Sequence, residues 1–181
     1  LTASAPGSCD RADPLVWRGG QWFGQVLRPV GEFAAMQAPY RQGGVYVVIG
    51  GAGGLGRIWS RHLIETCGAQ VVWIGRRDAD DDIRTAIEEL AASGPAPRYV
   101  RADARDHRAL QAALDDIRHD VGPVNGVVLA AVAEFDRAVA EMDETEFAGI
   151  LSVKIDVAVR ALQVFRRETL DFVLFFSSIS S

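Results

Sequence analysis

Hydrophobic positions along the chain fall into short runs separated by amphipathic stretches. Val45-Tyr46-Val47-Val48-Ile49 is apolar throughout and rich in β-branched residues. Such a run predicts a strand buried on both faces. Arg57 to Cys67 follows with helical spacing, Ile58, Leu63 and Ile64 lying near one face. Gln70–Ile74 reads as a second strand and Asp80–Ala92 as a helix with an acidic first turn, which suits the positive end of a helix dipole. Arg98–Ala102 is a third strand. Asp106–Arg118 is a helix whose Leu110, Leu114 and Ile117 share a face. Gly126–Ala131 is a fourth strand, Asp143 to about Arg167 a long helix, and Leu170–Phe176 a fifth strand. Strands alternating with helices predict an α/β fold, a doubly wound parallel sheet covered on both faces.

The chain upstream of this series reads differently. Leu1–Pro14 has loop composition. Between Leu15 and Leu27 two apolar and aromatic runs flank Arg18-Gly19-Gly20-Gln21, which predicts a β-hairpin. Pro29–Gly44 shows no clear period and reads as a linker. The expected division is therefore 1–42, hairpin and linker, and 43–181, the α/β series.

Composition narrows the function classes. The chain has 181 residues, 49% of them hydrophobic, and a formal net charge of -5. That balance gives no general attraction to nucleic acid or anionic lipid. Its two cysteines, Cys9 and Cys67, fit neither a metal motif nor a disulfide framework, so a reducing, cytoplasmic setting is expected. No apolar run approaches the roughly 18–20 residues of a membrane span, and no signal peptide is visible. The sequence starts at Leu1 and ends in Ser177-Ser178-Ile179-Ser180-Ser181 directly after a strand. Both ends read as cut from a longer polypeptide.

The chemistry begins where the first strand runs into Gly50-Gly51-Ala52-Gly53-Gly54-Leu55-Gly56 and a helix follows. A dinucleotide pyrophosphate needs close backbone approach and free N–H donors at a helix N-terminus. Glycine supplies the approach because it has no Cβ and tolerates positive φ. A flexible loop is the bland alternative, but the strand-to-helix context favours a cofactor site. Gly50, Gly54 and Gly56 fit G-x-x-x-G-x-G spacing. NAD-binding folds place an acid about 20 residues after the glycines; here the second strand ends in Gly75-Arg76-Arg77. An arginine pair suits the 2′-phosphate of NADP, an exposed basic turn being the alternative. Asp103, before Ala104 at the end of the third strand, is placed to accept from the adenine amino group. It could instead cap the next helix, a role Asp106 could also fill.

Two further residues are ambiguous on their own. Lys154 falls on or beside the apolar stripe of the long helix, where its head must snorkel, pair or enter a polar cavity. Ser177 and Ser178 follow the fifth strand, at the sheet end where such folds bind ligands, although serine is also common in turns.

Taken together, Val47-Val48-Ile49-Gly50-Gly51-Ala52-Gly53-Gly54-Leu55-Gly56, Ile74-Gly75-Arg76-Arg77, Ala102-Asp103, Gly126-Val127-Val128-Leu129-Ala130-Ala131, Val153-Lys154-Ile155-Asp156 and Phe172-Val173-Leu174-Phe175-Phe176-Ser177-Ser178 resemble the ketoreductase domains of modular polyketide synthases. These are Rossmann domains of the short-chain dehydrogenase/reductase type, and the style is nearest to bacterial assembly lines without built-in acyltransferases. The hairpin resembles the last strands of the structural subdomain that precedes the catalytic one. The resemblance implies NADPH as cofactor and an acyl carrier protein as partner, within a synthase of several domains. It implies reduction of a phosphopantetheine-bound β-ketoacyl thioester to a β-hydroxyacyl thioester. It assigns Lys154 and Ser178 to catalysis, and to the cofactor Gly50 through Gly56, Arg76, Arg77, Asp103, Ala104, Ala130 and Ala131. The implied proton donor is a tyrosine about a dozen residues beyond Ser178, where the sequence has ended. Tyr40, Tyr46 and Tyr99 cannot replace it by position, so the chain by itself is expected to be inactive. Asp136 falls at a stereocontrol position implying a D-configured product. Several positions depart from the family pattern: Ile49 before the glycines, Leu129 and Val132 after the fourth strand, and Glu134-Phe135 before Asp136. Two other readings stay open, a degenerate structural domain and a stand-alone reductase of a free small molecule.

Overall fold

The structure, a computed structural model, describes residues 15–24, 39–131 and 141–177. These residues belong to two compact units, one containing the hairpin and one spanning Pro39–Phe176. In the hairpin, β1 (Leu15–Arg18) pairs antiparallel with β2 (Gln21–Gly24). Gly19 and Gly20 connect them with φ of 54° and 82°, the double positive φ that a two-residue turn matching strand twist requires. Trp17 lies opposite Trp22, with ring centroids 5.1 Å apart.

The larger unit runs β3 (Val45–Ile49), α1 (Gly54–Cys67), β4 (Gln70–Gly75), α2 (Asp81–Ala91), β5 (Arg98–Arg101), α3 (His107–Asp120), β6 (Gly126–Leu129), α4 (Glu144–Phe165) and β7 (Phe172–Phe175). All five strands are parallel, in the order β5-β4-β3-β6-β7. The doubly wound fold expected from the alternation is therefore present.

Strand β3 sits at the centre and every residue in it is buried. Its alternate side chains feed two cores. Val45, Val47 and Ile49 join Leu110, Leu114 and Ile117 of α3 and Val157, Ala161 and Phe165 of α4. Tyr46 and Val48 face the other way, with Leu63 and Ile64 of α1 and Ile83 and Leu90 of α2. Two-sided burial explains why the run has no polar position.

Helix ends differ from expectation in an instructive way. Asp80, Asp106 and Asp143, expected as first helical residues, are caps just outside α2, α3 and α4. Their carboxylates accept from Ile83 N (2.9 Å), Arg108 N (2.8 Å) and Glu146 N (2.8 Å) respectively, satisfying donors that the helix cannot. Helix α1 starts at Gly54, not Arg57, and stops at Gly68, whose φ of 59° lets its N–H reach Ile64 O at 2.9 Å. Residues 39–44, within the stretch read as linker, are tied down by hydrogen bonds although 41–43 stay exposed. Arg41 N donates to the Tyr46 hydroxyl at 2.6 Å, and the Arg41 guanidinium forks onto Asp171 at 2.6 and 2.5 Å. Among the described residues no helix is long and apolar enough to cross a membrane.

Candidate functional site

The strand order reverses direction at β3, which has β4 on one side and β6 on the other. Loops leaving the carboxyl ends of β3 and β6 must diverge there, and the divergence opens a crevice. The structure has a cleft of about 880 Å³ at this point, ample for a dinucleotide-sized ligand.

Its floor is the glycine loop, whose glycines do different jobs. Gly50 has φ of 82°, and a Cβ there would meet Ala131 N at 2.7 Å. Gly50 therefore lets the β6 end close onto the β3 end. A Cβ on Gly51 would strike the Trp73 ring at 2.0 Å, and one on Gly56 would meet Gly50 O and Gly51 Cα at 2.6 Å. Neither Gly51 nor Gly56 lines the cleft; what the structure shows for both is that packing leaves no room for a side chain. Beneath them Trp73 Nε1 donates to Ser60 Oγ (2.8 Å), and Ser60 Oγ donates to Gly56 O (2.6 Å). This buried chain fixes the start of α1. Gly54 is the opposite case: a Cβ there would meet no atom of the protein within 4 Å, and Gly54 lines the cleft with Gly53, Leu55 and Ala52. Gly53 caps α1 with no side-chain hydrogen bond, and the first turn carries no acid. The positive end of α1 thus faces the cleft with backbone donors and no competing carboxylate, the donor set an anion requires.

The two arginines after β4 also separate. Arg77 is engaged, by Asp82 at 2.9 Å and Asp80 at 3.3 Å. Asp82 additionally holds Arg57 at 2.5 Å, and Arg57 Nε donates to Ala52 O at 2.7 Å. One carboxylate therefore ties the arginine corner to the glycine loop, and these two guanidinium groups, Arg57 foremost, hold it below the usual carboxylate range. Arg76 is exposed, lines the cleft, and makes no side-chain hydrogen bond or ion pair among the described residues. It is the cation available to a ligand.

Across the cleft, Asp103 follows β5. It does not cap α3, a role Asp106 fills. Arg105 engages it, with Nε 3.1 Å from Oδ1 and Nη2 2.7 Å from Oδ2. That contact depresses the Asp103 carboxyl against the opposing effect of burial, and Arg76 adds to the depression. Ala104, Ala130 and Ala131 also line the cleft. Tyr99, Arg105, Val153 and Val157 line it too and were not anticipated. Tyr99 pairs in register with Trp73 and donates its hydroxyl to Arg77 O at 2.8 Å; strand pairing, invisible in a single sequence, brings it there. Lys154 does not itself line the cleft. It is exposed on α4 beside Val153, and its Nζ donates to Phe176 O at the end of β7 (3.2 Å). Ser178 and Asp136 lie outside the described residues.

Comparison with known proteins places this geometry. A family profile described as the KR domain matches residues 44–181. Polyketide synthase PksN of Bacillus subtilis (strain 168) is 44% identical over 165 residues, which are 91% of this chain and 3% of that protein. Polyketide synthase ThaG of Burkholderia thailandensis is 42% identical over 168 residues, 93% of this chain and 3% of that protein. The chain thus spans a small fraction of the relatives it matches. Among solved structures, a ketoreductase domain from the bacillaene assembly line superposes with a TM-score of 0.77 at 27% identity, covering 92% of this chain and 40% of that one. A ketoreductase from the macrolactin assembly line gives 0.78 at 25% identity, covering 88% and 32%.

Proposed function

Because the chain belongs to the KR domain family, the ketoreductase domains of polyketide synthases, we propose that its parent reduces a carrier-protein-bound β-ketoacyl thioester to the β-hydroxyacyl thioester with NADPH. Residues 43–181 would be the catalytic subdomain and residues 1–42 the tail of the structural one. The cofactor supplies the hydride when bound.

The chain's own residues supply binding and orientation. Backbone N–H groups at Gly54 and Leu55 receive the pyrophosphate, where the absence of a side chain at Gly54 permits close approach. The Arg76 guanidinium takes the 2′-phosphate, Arg77 helps shape that corner, and Asp103 accepts from the adenine amino group. Ala130 and Ala131 border the path toward the nicotinamide. Lys154, anchored at the carboxyl end of β7, positions the nicotinamide ribose, and Ser178 holds the carbonyl oxygen. Asp136 belongs to the loop that sets the D configuration.

One observation carries the reading: an uncapped helix start, an open glycine and an unengaged arginine border one cleft at the switch point. Calorimetric titration tests it. The domain is expected to bind NADPH more tightly than NADH, and the parent to oxidise NADPH when given a β-ketoacyl carrier protein. Equal affinity for both cofactors would overturn the cofactor assignment. Tight NADPH binding without oxidation by the parent would favour the degenerate-domain reading.

A further inference from the structure

Asp103 does not stand alone in the cleft. Arg105, two residues on, lines the same cleft and grips both oxygens of its carboxylate. The backbone N of Arg105 also donates to Oδ1 at 3.0 Å, and Asp106 N closes the turn on Asp103 O at 3.0 Å. Asp156 on α4 attracts the same guanidinium. The loop after β5 therefore presents Asp103 in one orientation, set by the Arg105 fork and the Arg105 backbone N–H.

We propose that Arg105 is a positioning residue for adenine recognition: it holds the Asp103 carboxylate aimed into the cleft, so that the adenine amino group meets an acceptor already in place. This rests on the proposed role of Asp103. The stereochemistry of a carboxylate permits it, because two oxygens offer about four acceptor directions. Oδ1 takes the backbone N and Nε, and Oδ2 takes Nη2 at 2.7 Å with a longer share of the bifurcated Nε at 3.2 Å. Both Oδ2 contacts come from the one guanidinium, and the Asp103 side chain, 34% exposed and lining the cleft, keeps a face open to a ligand. An unsupported aspartate on a loop would have to be ordered by the ligand, and that ordering weakens binding. An ordinary exposed ion pair would be indifferent to the ligand, and this is where the two accounts part.

The probe is a pair of cofactors differing only at the amino group: NADPH and its purine analogue, which carries a hydrogen there. Their dissociation constants are compared in the intact domain. The unmutated protein is expected to prefer NADPH about tenfold or more, the scale of one hydrogen bond to a charged acceptor. Asp103→Asn should bring that preference close to unity. Arg105→Ala should lower it by about 3- to 10-fold, the range for immobilising one side chain. Arg105→Lys, which keeps the charge but not the fork, should fall between. In the Asp103→Asn background Arg105→Ala should change nothing further, since the two act through one contact. A merely structural Arg105 would weaken both ligands equally, and an arginine that touches phosphate directly would give an additive loss in the double variant; either result overturns the proposal. Should Asp103→Asn leave the preference intact, the adenine role itself fails and this inference falls with it.

Discussion

The two sides of the sheet are built to different standards. On the β3–β4–β5 side, β3 and the four central residues of β4 are buried, and α1 places Ser60, Leu63, Ile64 and Cys67 in the core. On the β6–β7 side β6 is as fully buried as β3, and the edge strand β7, like β5, has no fully buried residue, so the difference lies in the helices. Helix α4 buries only Val157, Ala161, Val164 and Phe165, all toward its C-terminal end. Its Phe147, Leu151, Ile155 and Val159 form an exposed apolar row at four-residue spacing. Arg76, proposed to select the cofactor, therefore follows a strand whose four central residues are buried. Lys154, proposed for the chemistry, stands on the stretch of α4 with no buried residue. The residues proposed for the cofactor and for the chemistry thus stand on packing of unequal quality.

Core substitutions offer the harshest test of this asymmetry. Leu63→Ala on α1, where the side chain is fully buried, should cost about 2–5 kcal/mol in denaturant unfolding. Leu151→Ala on α4, 41% exposed, should cost under about 0.5 kcal/mol. Comparable losses would mean that the exposed row is packed in solution.

Within the better-packed side, glycines should split by role. Gly50→Ala combines a left-handed backbone with a collision against Ala131 and should cost about 2–4 kcal/mol. Gly54→Ala meets nothing and should leave stability within about 1 kcal/mol of the starting protein, yet weaken NADPH in titration calorimetry. Loss of fold in both variants would erase the distinction between packing and binding glycines.

A smaller effect separates the two arginines. Arg76→Ala should weaken NADPH by roughly 1.5–3 kcal/mol, the scale of charged hydrogen bonds, and spare NADH. Arg77→Ala, already balanced by Asp80 and Asp82, should lose less than about 1 kcal/mol. The reverse order would put the 2′-phosphate on Arg77.

Acid titration should give the mildest signal. Arg105 holds the Asp103 carboxyl below the usual carboxylate range. The resulting stabilisation is complete above the unfolded value, about pH 3.9, and is lost as pH falls through the lower folded value. Unfolding free energy followed below about pH 4 should therefore drop less steeply in Asp103→Asn than in the unmutated domain. Identical slopes would show that the pair adds nothing to the fold.

How far the sequence foretold this molecule depends on which forces act locally. The run at β3 was legible because two-sided burial removes every polar residue, and the glycine loop because its context is strand then helix. Local patterning could not say that Gly51 answers to Trp73 while Gly54 answers to nothing, since Trp73 arrives from the adjacent strand. Arg76 and Arg77 look equivalent in sequence; the acids of α2 distinguish them. Arg105 carried no motif, and its place became visible only through the Asp103 contact. Helix α1 began early because a glycine start reads as loop, although backbone geometry continues through it.

The Gly51–Trp73 contact also constrains the order in which this loop could have changed over time. With the indole in place, any side chain at position 51 collides, so residue 73 must shrink before residue 51 can grow. Shrinking it removes the donor to Ser60, which keeps only its own bond to Gly56 O. A lineage that leaves this arrangement passes through an intermediate with a hollow and a lost hydrogen bond beneath its glycine loop, whereas one that keeps it is held to glycine at position 51 for as long as the tryptophan stays.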